Sequence, residues 1–341
     1  MAAVLYGVLS LSTFCFWAWP QAFYWRAWEY FSDIVNKNCS VAPEWRGSES
    51  GDLSRRNLMF YQKAHPTLVT TDDDGFRSTP PLPGPHSIVM LGDSTIFGSG
   101  LSDEETLPWR LAKELGTRVF NGARQEPSLV MGRDDLKAVT LLIEGRTERS
   151  LGNILASDFL QQLAYRPLRQ GELGLLDSAP LQLYFFPSIA DHLSQRLGND
   201  IQDLLYTRGR MAGRRLALIS HRHAFQPEQL KDAVAAIKQR RDEAARRGYV
   251  YTFLPVPAAQ TIYATDVDDF TRNFIPNLCQ ELNQQGVPCV NVASTLIRHK
   301  DEELWQYADT HWNARATELA AKELAVFLRQ RGLVSGERVT P

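Results

Sequence analysis

Short apolar runs rich in β-branched residues alternate along this chain with longer stretches of helical periodicity. His86–Leu91 (HSIVML), ending at Gly92, predicts a buried strand. Arg118–Phe120, Ala138–Glu144 (AVTLLIE) and Tyr249–Val256 (YVYTFLPV) predict three more, and Cys289–Val292 a further extended piece. Between them the pattern predicts helices over Leu107–Leu115 (stopped by Gly116), Gln226–Arg247 (stopped by Gly248), Thr271–Gln285 and Asn313–Gln330. Ser102–Glu105 (SDEE) has capping-box spacing ahead of the first helix. Strands alternating with helices imply an α/β fold, a parallel sheet covered on both faces. In such sheets ligands bind beyond the carboxyl ends of the strands.

The N-terminus follows another pattern. Ala2–Trp25 carries no charged side chain and is long enough to cross a bilayer. Its far end is crowded with aromatics (Phe16, Trp17, Trp19, Phe23, Tyr24, Trp25, Trp28), as at a membrane interface, and Pro20 bends or ends the helix. The alternatives are a buried core helix and a cleaved signal peptide. No Lys or Arg precedes the run and no Ala-x-Ala site follows it, so residues 1–30 read as an uncleaved anchor. Residues 31–74 then form a polar connector and 75–332 the main domain. Within that domain, about 151–220 lacks clean periodicity and reads as a helical insertion.

Composition changes this picture little. In 341 residues, 44% are hydrophobic and 22% charged, which excludes a disordered chain and a multi-span membrane protein. The net charge of -2 gives no basic excess that would argue for nucleic acid. The four cysteines show no Cys-x-x-Cys, so a zinc site is not expected. Cys279 and Cys289 are either a disulfide suited to an oxidising compartment or two buried thiols; spacing does not decide.

Candidate chemistry lies in two short motifs. Gly92-Asp93-Ser94-Thr95 stands where the first strand turns into a helix, which exposes a serine hydroxyl beside backbone N–H groups. A serine needs a base within hydrogen-bond reach. Asp309-Thr310-His311-Trp312-Asn313 offers His311 as that base and Asp309 as the carboxylate that fixes its tautomer. Asp-x-His spacing puts both side chains on one side of an extended segment. Alone, Gly-Asp-Ser is a common turn and Asp-x-His an ordinary surface pair; together they suggest a Ser94–His311–Asp309 triad. His221 and His223, in a basic turn, have no companion motif.

These motifs resemble the SGNH hydrolase superfamily. The likeness extends through Asp74-Gly75-Phe76-Arg77, Ile88–Thr95, Phe97-Gly98-Ser99-Gly100, Glu105-Thr106-Leu107-Pro108, Asn121-Gly122 and Asp309-x-His311, from about Gly75 to Leu328 with the middle third unmatched. It implies a three-layer, flavodoxin-like fold, no cofactor, and oxyanion donors at the Ser94 and Gly122 N–H groups. The family's Gly-x-Asn-Asp block is missing: Glu144-Gly145-Arg146-Thr147-Glu148-Arg149 takes its place, and Gly198-Asn199-Asp200 reads as a surface turn. Arg146 either replaces the lost asparagine as an oxyanion donor or, with Arg149, only pairs with Glu144 and Glu148.

That departure is similar to the AlgX/AlgJ-like alginate O-acetyltransferases, as are Leu254-Pro255-Val256-Pro257, Thr261-Ile262-Tyr263, Gly286-Val287 and Asp309–Trp312. In that group Asp-x-His precedes the serine motif; here Ser94 comes first, like a circular permutation. The resemblance implies an exported, inner-membrane-anchored O-acetyltransferase acting on polysaccharide through an acetyl-Ser94 intermediate, with a membrane-bound partner supplying acetyl groups. An esterase with the same triad and a non-catalytic carbohydrate-binding subunit of an export complex are the alternatives. Trp312, Tyr263 and Arg149 are candidates for binding the acceptor. Trp305 and Tyr307 also suit sugar stacking, although such aromatics are more often core.

Overall fold

A computed structural model describes Gly7 and residues 44–49, 65–72, 76–124, 127–152, 154, 224–263, 267–306 and 309–334. Two strands stand ahead of the main sheet, inside the segment expected to be only a connector. Strands β1 (Glu44–Glu49) and β2 (His65–Thr70) pair antiparallel. β2 is tied to the domain by Asp103, whose carboxylate accepts from the Thr70 N–H and hydroxyl at 2.9 and 2.7 Å.

The central sheet is four-stranded among the described residues and wholly parallel. Its strands are β3 (His86–Gly92), β4 (Arg118–Asn121), β5 (Leu141–Thr147) and β6 (Val250–Val256), in the order β4-β3-β5-β6. Side chains alternate across a strand, and here both faces are apolar. Ile88, Met90, Leu141, Ile143, Leu254 and Val256 point into one core, with helices α2 (Leu107–Leu115), α9 (Val292–Arg298) and α10 (Ala314–Gln330). Val89, Leu91, Leu142, Tyr251 and Phe253 point into the other, with α5 (Pro227–Arg246) and α8 (Phe274–Gln284). The result is three layers, helix on sheet on helix. Each such Leu, Ile or Phe contributes roughly 1.5–3 kcal/mol of burial.

The remaining short helices are α1 (Ser94–Phe97), α3 (Pro127–Met131), α4 (Glu148–Leu151), α6 (Ala259–Tyr263) and α7 (Asp269–Arg272). Several sequence expectations shift in register. The third strand starts at Leu141, because Val139 closes a turn onto Leu136, and it continues to Thr147. The helix expected over Thr271–Gln285 is two helices broken at Asn273. Pro276 has no N–H to donate to the carbonyl four residues back, so one continuous helix cannot form there. Cys289 makes a single bridge to Phe253, and the chain then turns into α9, capped by Asn291. The Ser102–Glu105 box caps a 3₁₀ turn, Asp103–Glu105, while α2 has its own cap in Thr106.

Cys279 and Cys289 are joined by a disulfide that ties α8 to the bridge with β6. The expected anchor and residues 155–220 of the expected insertion lie outside the described residues, as do Asp74, Gly75, His221, His223 and Tyr307. No helix among the described residues is long and apolar enough to cross a membrane.

Candidate active site

The site forms where β3 ends. Gly92 and Gly145 face each other across β3 and β5. A Cβ on Gly92 would lie 2.4 Å from the Gly145 carbonyl, and one on Gly145 would lie 2.3 Å from Ile96 Cδ1. Only glycines let the turn carrying Ser94 fold this closely onto the neighbouring strand. Asp93 then caps α1. One carboxylate oxygen accepts from Thr95 N–H at 3.0 Å, and the other accepts from the Thr147 N–H and hydroxyl at 2.9 and 2.8 Å. Asp93 therefore ties the serine turn to the end of β5. The motif was legible in the sequence; this second partner was not, because Thr147 lies 54 residues away.

Ser94 and His311 are 217 residues apart in sequence, yet Ser94 Oγ lies 2.7 Å from His311 Nε2. His311 Nδ1 lies 2.7 Å from Asp309 Oδ1, which also accepts the His311 backbone N–H at 2.8 Å. A proton on Nδ1 directed at Asp309 leaves Nε2 with its lone pair toward the serine. His311 and Asp309 are each 5% exposed, so their hydrogen bonds are largely shielded from water. Trp312, next in sequence, donates its indole N–H to the Thr95 carbonyl at 3.2 Å.

The proposed oxyanion donors fare unequally. Ser94 N–H stands at the first turn of α1 with no acceptor among the described residues. Gly122 N–H, in contrast, donates to the Met90 carbonyl at 2.9 Å, continuing the β3–β4 ladder. That bond uses the donor, so Gly122 does not serve as expected. Its missing side chain makes room for Val130, whose Cγ1 would lie 2.7 Å from a Cβ.

Arg146 does pair with Glu144, through Nε at 2.8 Å. Glu144 also accepts from Arg240 Nη1 at 2.8 Å and from the Tyr251 hydroxyl at 2.7 Å. Burial works against the Arg146 charge, but Glu144 and Asp93 outweigh it and hold its pKa above the ordinary value. Its two Nη groups have no hydrogen-bond partner among the described residues, and the side chain is 32% exposed. The Glu144 pair of the second reading is present, and it engages one of the three guanidinium nitrogens. Burial also pushes the Tyr251 hydroxyl well up.

Arg149 is exposed and does not pair with Glu148. Glu148 instead accepts from Ala258 N–H at 2.7 Å and from the Thr261 hydroxyl at 2.6 Å. Burial, opposed by these two bonds, raises its carboxyl to about 7. Trp312 is 1% exposed and part of the core, so it offers no face to an acceptor. The Tyr263 hydroxyl is engaged by the Glu302 carbonyl and Leu304 N–H, and its ring packs edge-on against buried Trp305. Among the described residues no group of three or more His, Cys, Asp or Glu stands together as a metal site.

Residues 218–339 match the family described as the SGNH hydrolase-like domain of acetyltransferase AlgX. Over that stretch the chain is AlgX-like. The matched range contains Asp309 and His311 but begins well after Ser94. That stretch, about a third of the chain, is what is similar to an acetyltransferase domain. Solved structures also align. A Slackia heliotrinireducens protein described as an SGNH hydrolase is 13% identical, covering 72% of this chain and 100% of its own, with a TM-score of 0.35. A Bacillus subtilis protein is 11% identical, covering 80% and 63%, with a TM-score of 0.35. A Corynascus thermopiles (Myceliophthora fergusii) carbohydrate esterase family 2 enzyme with a carbohydrate-binding domain is 13% identical, covering 79% and 71%, with a TM-score of 0.33. No curated protein sequence matches the chain.

Proposed function

We propose that the protein is an O-acetyltransferase that moves acetyl groups onto the hydroxyls of an exported polysaccharide through an acetyl-Ser94 intermediate. The observation that carries this reading is the unbroken relay Ser94 Oγ–His311–Asp309, with both bonds at 2.7 Å, in a chain with an AlgX-like match. His311 Nε2 takes the Ser94 proton as Oγ attacks the carbonyl of an acetyl ester. The negative charge on the carbonyl oxygen meets Ser94 N–H and the open Nη groups of Arg146. The tetrahedral intermediate collapses, and His311 returns the proton to the departing alkoxide. A sugar hydroxyl, deprotonated by the same Nε2, then attacks acetyl-Ser94. The acetyl–Oγ bond breaks, and Oγ regains its proton from His311.

Asp309 orients His311 and stabilises the imidazolium formed in each half-reaction. Water in place of the sugar would make the same site an esterase. The Cys279–Cys289 disulfide favours an oxidising, extracytoplasmic location for the domain, with Ala2–Trp25 as its inner-membrane anchor. The donor then comes from a membrane-bound partner, since acetyl groups must be carried across to such a site.

The test is product analysis with a chromogenic acetyl ester, with and without an oligosaccharide acceptor. Mass spectrometry should find an acetyl adduct on the Gly92–Thr95 peptide that Ser94→Ala removes, and acceptor should turn the product from acetate into O-acetylated sugar. An adduct that persists in Ser94→Ala would reject the nucleophile. Release of acetate alone at saturating acceptor would make the enzyme an esterase.

A further inference from the structure

Ser94 and His311 come from distant parts of the chain, and their 2.7 Å bond requires the two segments to be held in register. Trp312 already links them through the Thr95 carbonyl, and a second buried side chain touches both. Gln306 Nε2 donates to the Ser99 carbonyl at 2.8 Å and to the Trp312 carbonyl at 3.1 Å. Its backbone N–H donates to the His311 carbonyl at 3.1 Å, and Ser99 N–H donates to the Ser94 carbonyl at 3.0 Å. A continuous path of hydrogen bonds thus runs from the backbone of the nucleophile through one amide to the backbone of the base.

The two segments are otherwise shaped so that a connector at this point matters. Asn313 N–H donates to the Leu304 carbonyl at 2.9 Å, and Trp305 bridges Trp312. Asp309, Thr310 and His311 therefore lie on the turn of a short antiparallel loop closed by Gln306. Fixing the Gln306 end fixes how far His311 projects.

The amide orientation is set by its partners, because two carbonyls accept from one nitrogen and the reverse orientation would oppose three oxygens. Among the described residues its buried Oε1 meets no donor, and Ser99 Oγ likewise has no partner. A side chain present only to fill space would be apolar and leave no orphaned oxygen.

We propose that Gln306 is a positioning residue that sets the register between the Ser94 turn and the Asp309–His311 loop. The proposal rests on the triad reading above. It is tested with Gln306→Met, which has similar volume and no donors, and with Gln306→Asn, which keeps the amide on a shorter stem. Both are compared with wild type well below their melting temperatures. Turnover of a chromogenic acetyl ester and the rate of Ser94 labelling by a fluorophosphonate are measured together.

For Gln306→Met we expect kcat and the labelling rate to fall in parallel by about 10–10²-fold, with KM within twofold, as for a small misplacement of reacting groups. Gln306→Asn should show the same pattern at smaller amplitude. A lower melting temperature with kcat and labelling within twofold of wild type would reduce Gln306 to packing and overturn the inference alone. A raised KM with unchanged kcat would do the same. A wild type inert to both reagents would overturn the triad reading, and this inference with it.

Discussion

At the residue scale, Gly122 and Arg146, both candidate oxyanion donors from the family resemblance, part ways. Gly122 spends its N–H on Met90, whereas Arg146 is held by Glu144 through one nitrogen and keeps two open. Arg146→Ala should therefore lower kcat by about 10²–10³-fold with little change in KM, as for removal of an oxyanion donor. Arg146→Lys should recover part of it, since a lysine keeps the charge without the fixed fork. Gly122→Ala should instead lower the melting temperature through its clash with Val130. Steady-state kinetics of all three, with thermal melts, checks this difference; equal kcat losses at Arg146 and Gly122 would reject it. The triad makes its own demand. His311→Ala should cost as much as Ser94→Ala, because the members act as a unit. Asp309→Asn should cost somewhat less, on the order of 10⁴-fold as in the serine-protease precedent. Turnover by His311→Ala at the wild-type rate would remove the base assignment.

At the element scale, what the sequence pattern conveys depends on where an element's surroundings come from. The strand at His86–Gly92 and the helices at Leu107–Leu115 and Ala314–Gln330 were legible because burial on two faces or one stripe leaves a strong periodic trace. The last three residues of β5 were not. Gly145, Arg146 and Thr147 pair with Leu254, Pro255 and Val256, but a glycine and two polar residues leave no apolar trace of a strand. The disulfide was undecided because bond geometry is tertiary. With it in place, replacing Cys279 and Cys289 together by serine frees a loop of about ten residues. The expected loss is about 2.5–3 kcal/mol on the chain-entropy account. Denaturant titration should show that loss while ester turnover at 25 °C stays at the wild-type level, because the bond lies in the core opposite α10. Lost turnover in a folded double variant would mean that α8 helps shape the site.

At the scale of the whole molecule, the meeting of Ser94, His311 and Asp309 was readable from two motifs, while the groups holding them together were not. Asp93 with Thr147, Trp312 with Thr95 and Gln306 with Ser99 join residues 54 to 217 positions apart, and no local pattern encodes such pairs. Glu148 is another of these clasps, joining the end of β5 to the segment after β6, and it links folding to pH. Its carboxyl is 3% exposed and titrates at about 7 when folded, against a reference of 4.5. Between those values the native state holds a proton that the unfolded chain has released. Its stabilising contribution is therefore complete below pH 4.5, declines as pH rises, and is gone above about 7. A displacement of this size corresponds to roughly 3 kcal/mol. Glu148→Gln keeps an acceptor for Ala258 N–H and Thr261 but carries no charge. The variant should thus resemble wild type near pH 4.5, where Glu148 is neutral in the fold, and exceed it in stability at pH 8. Urea midpoints for both proteins across that range measure the difference directly. A gap that stays constant with pH would show that Glu148 does not titrate in this window.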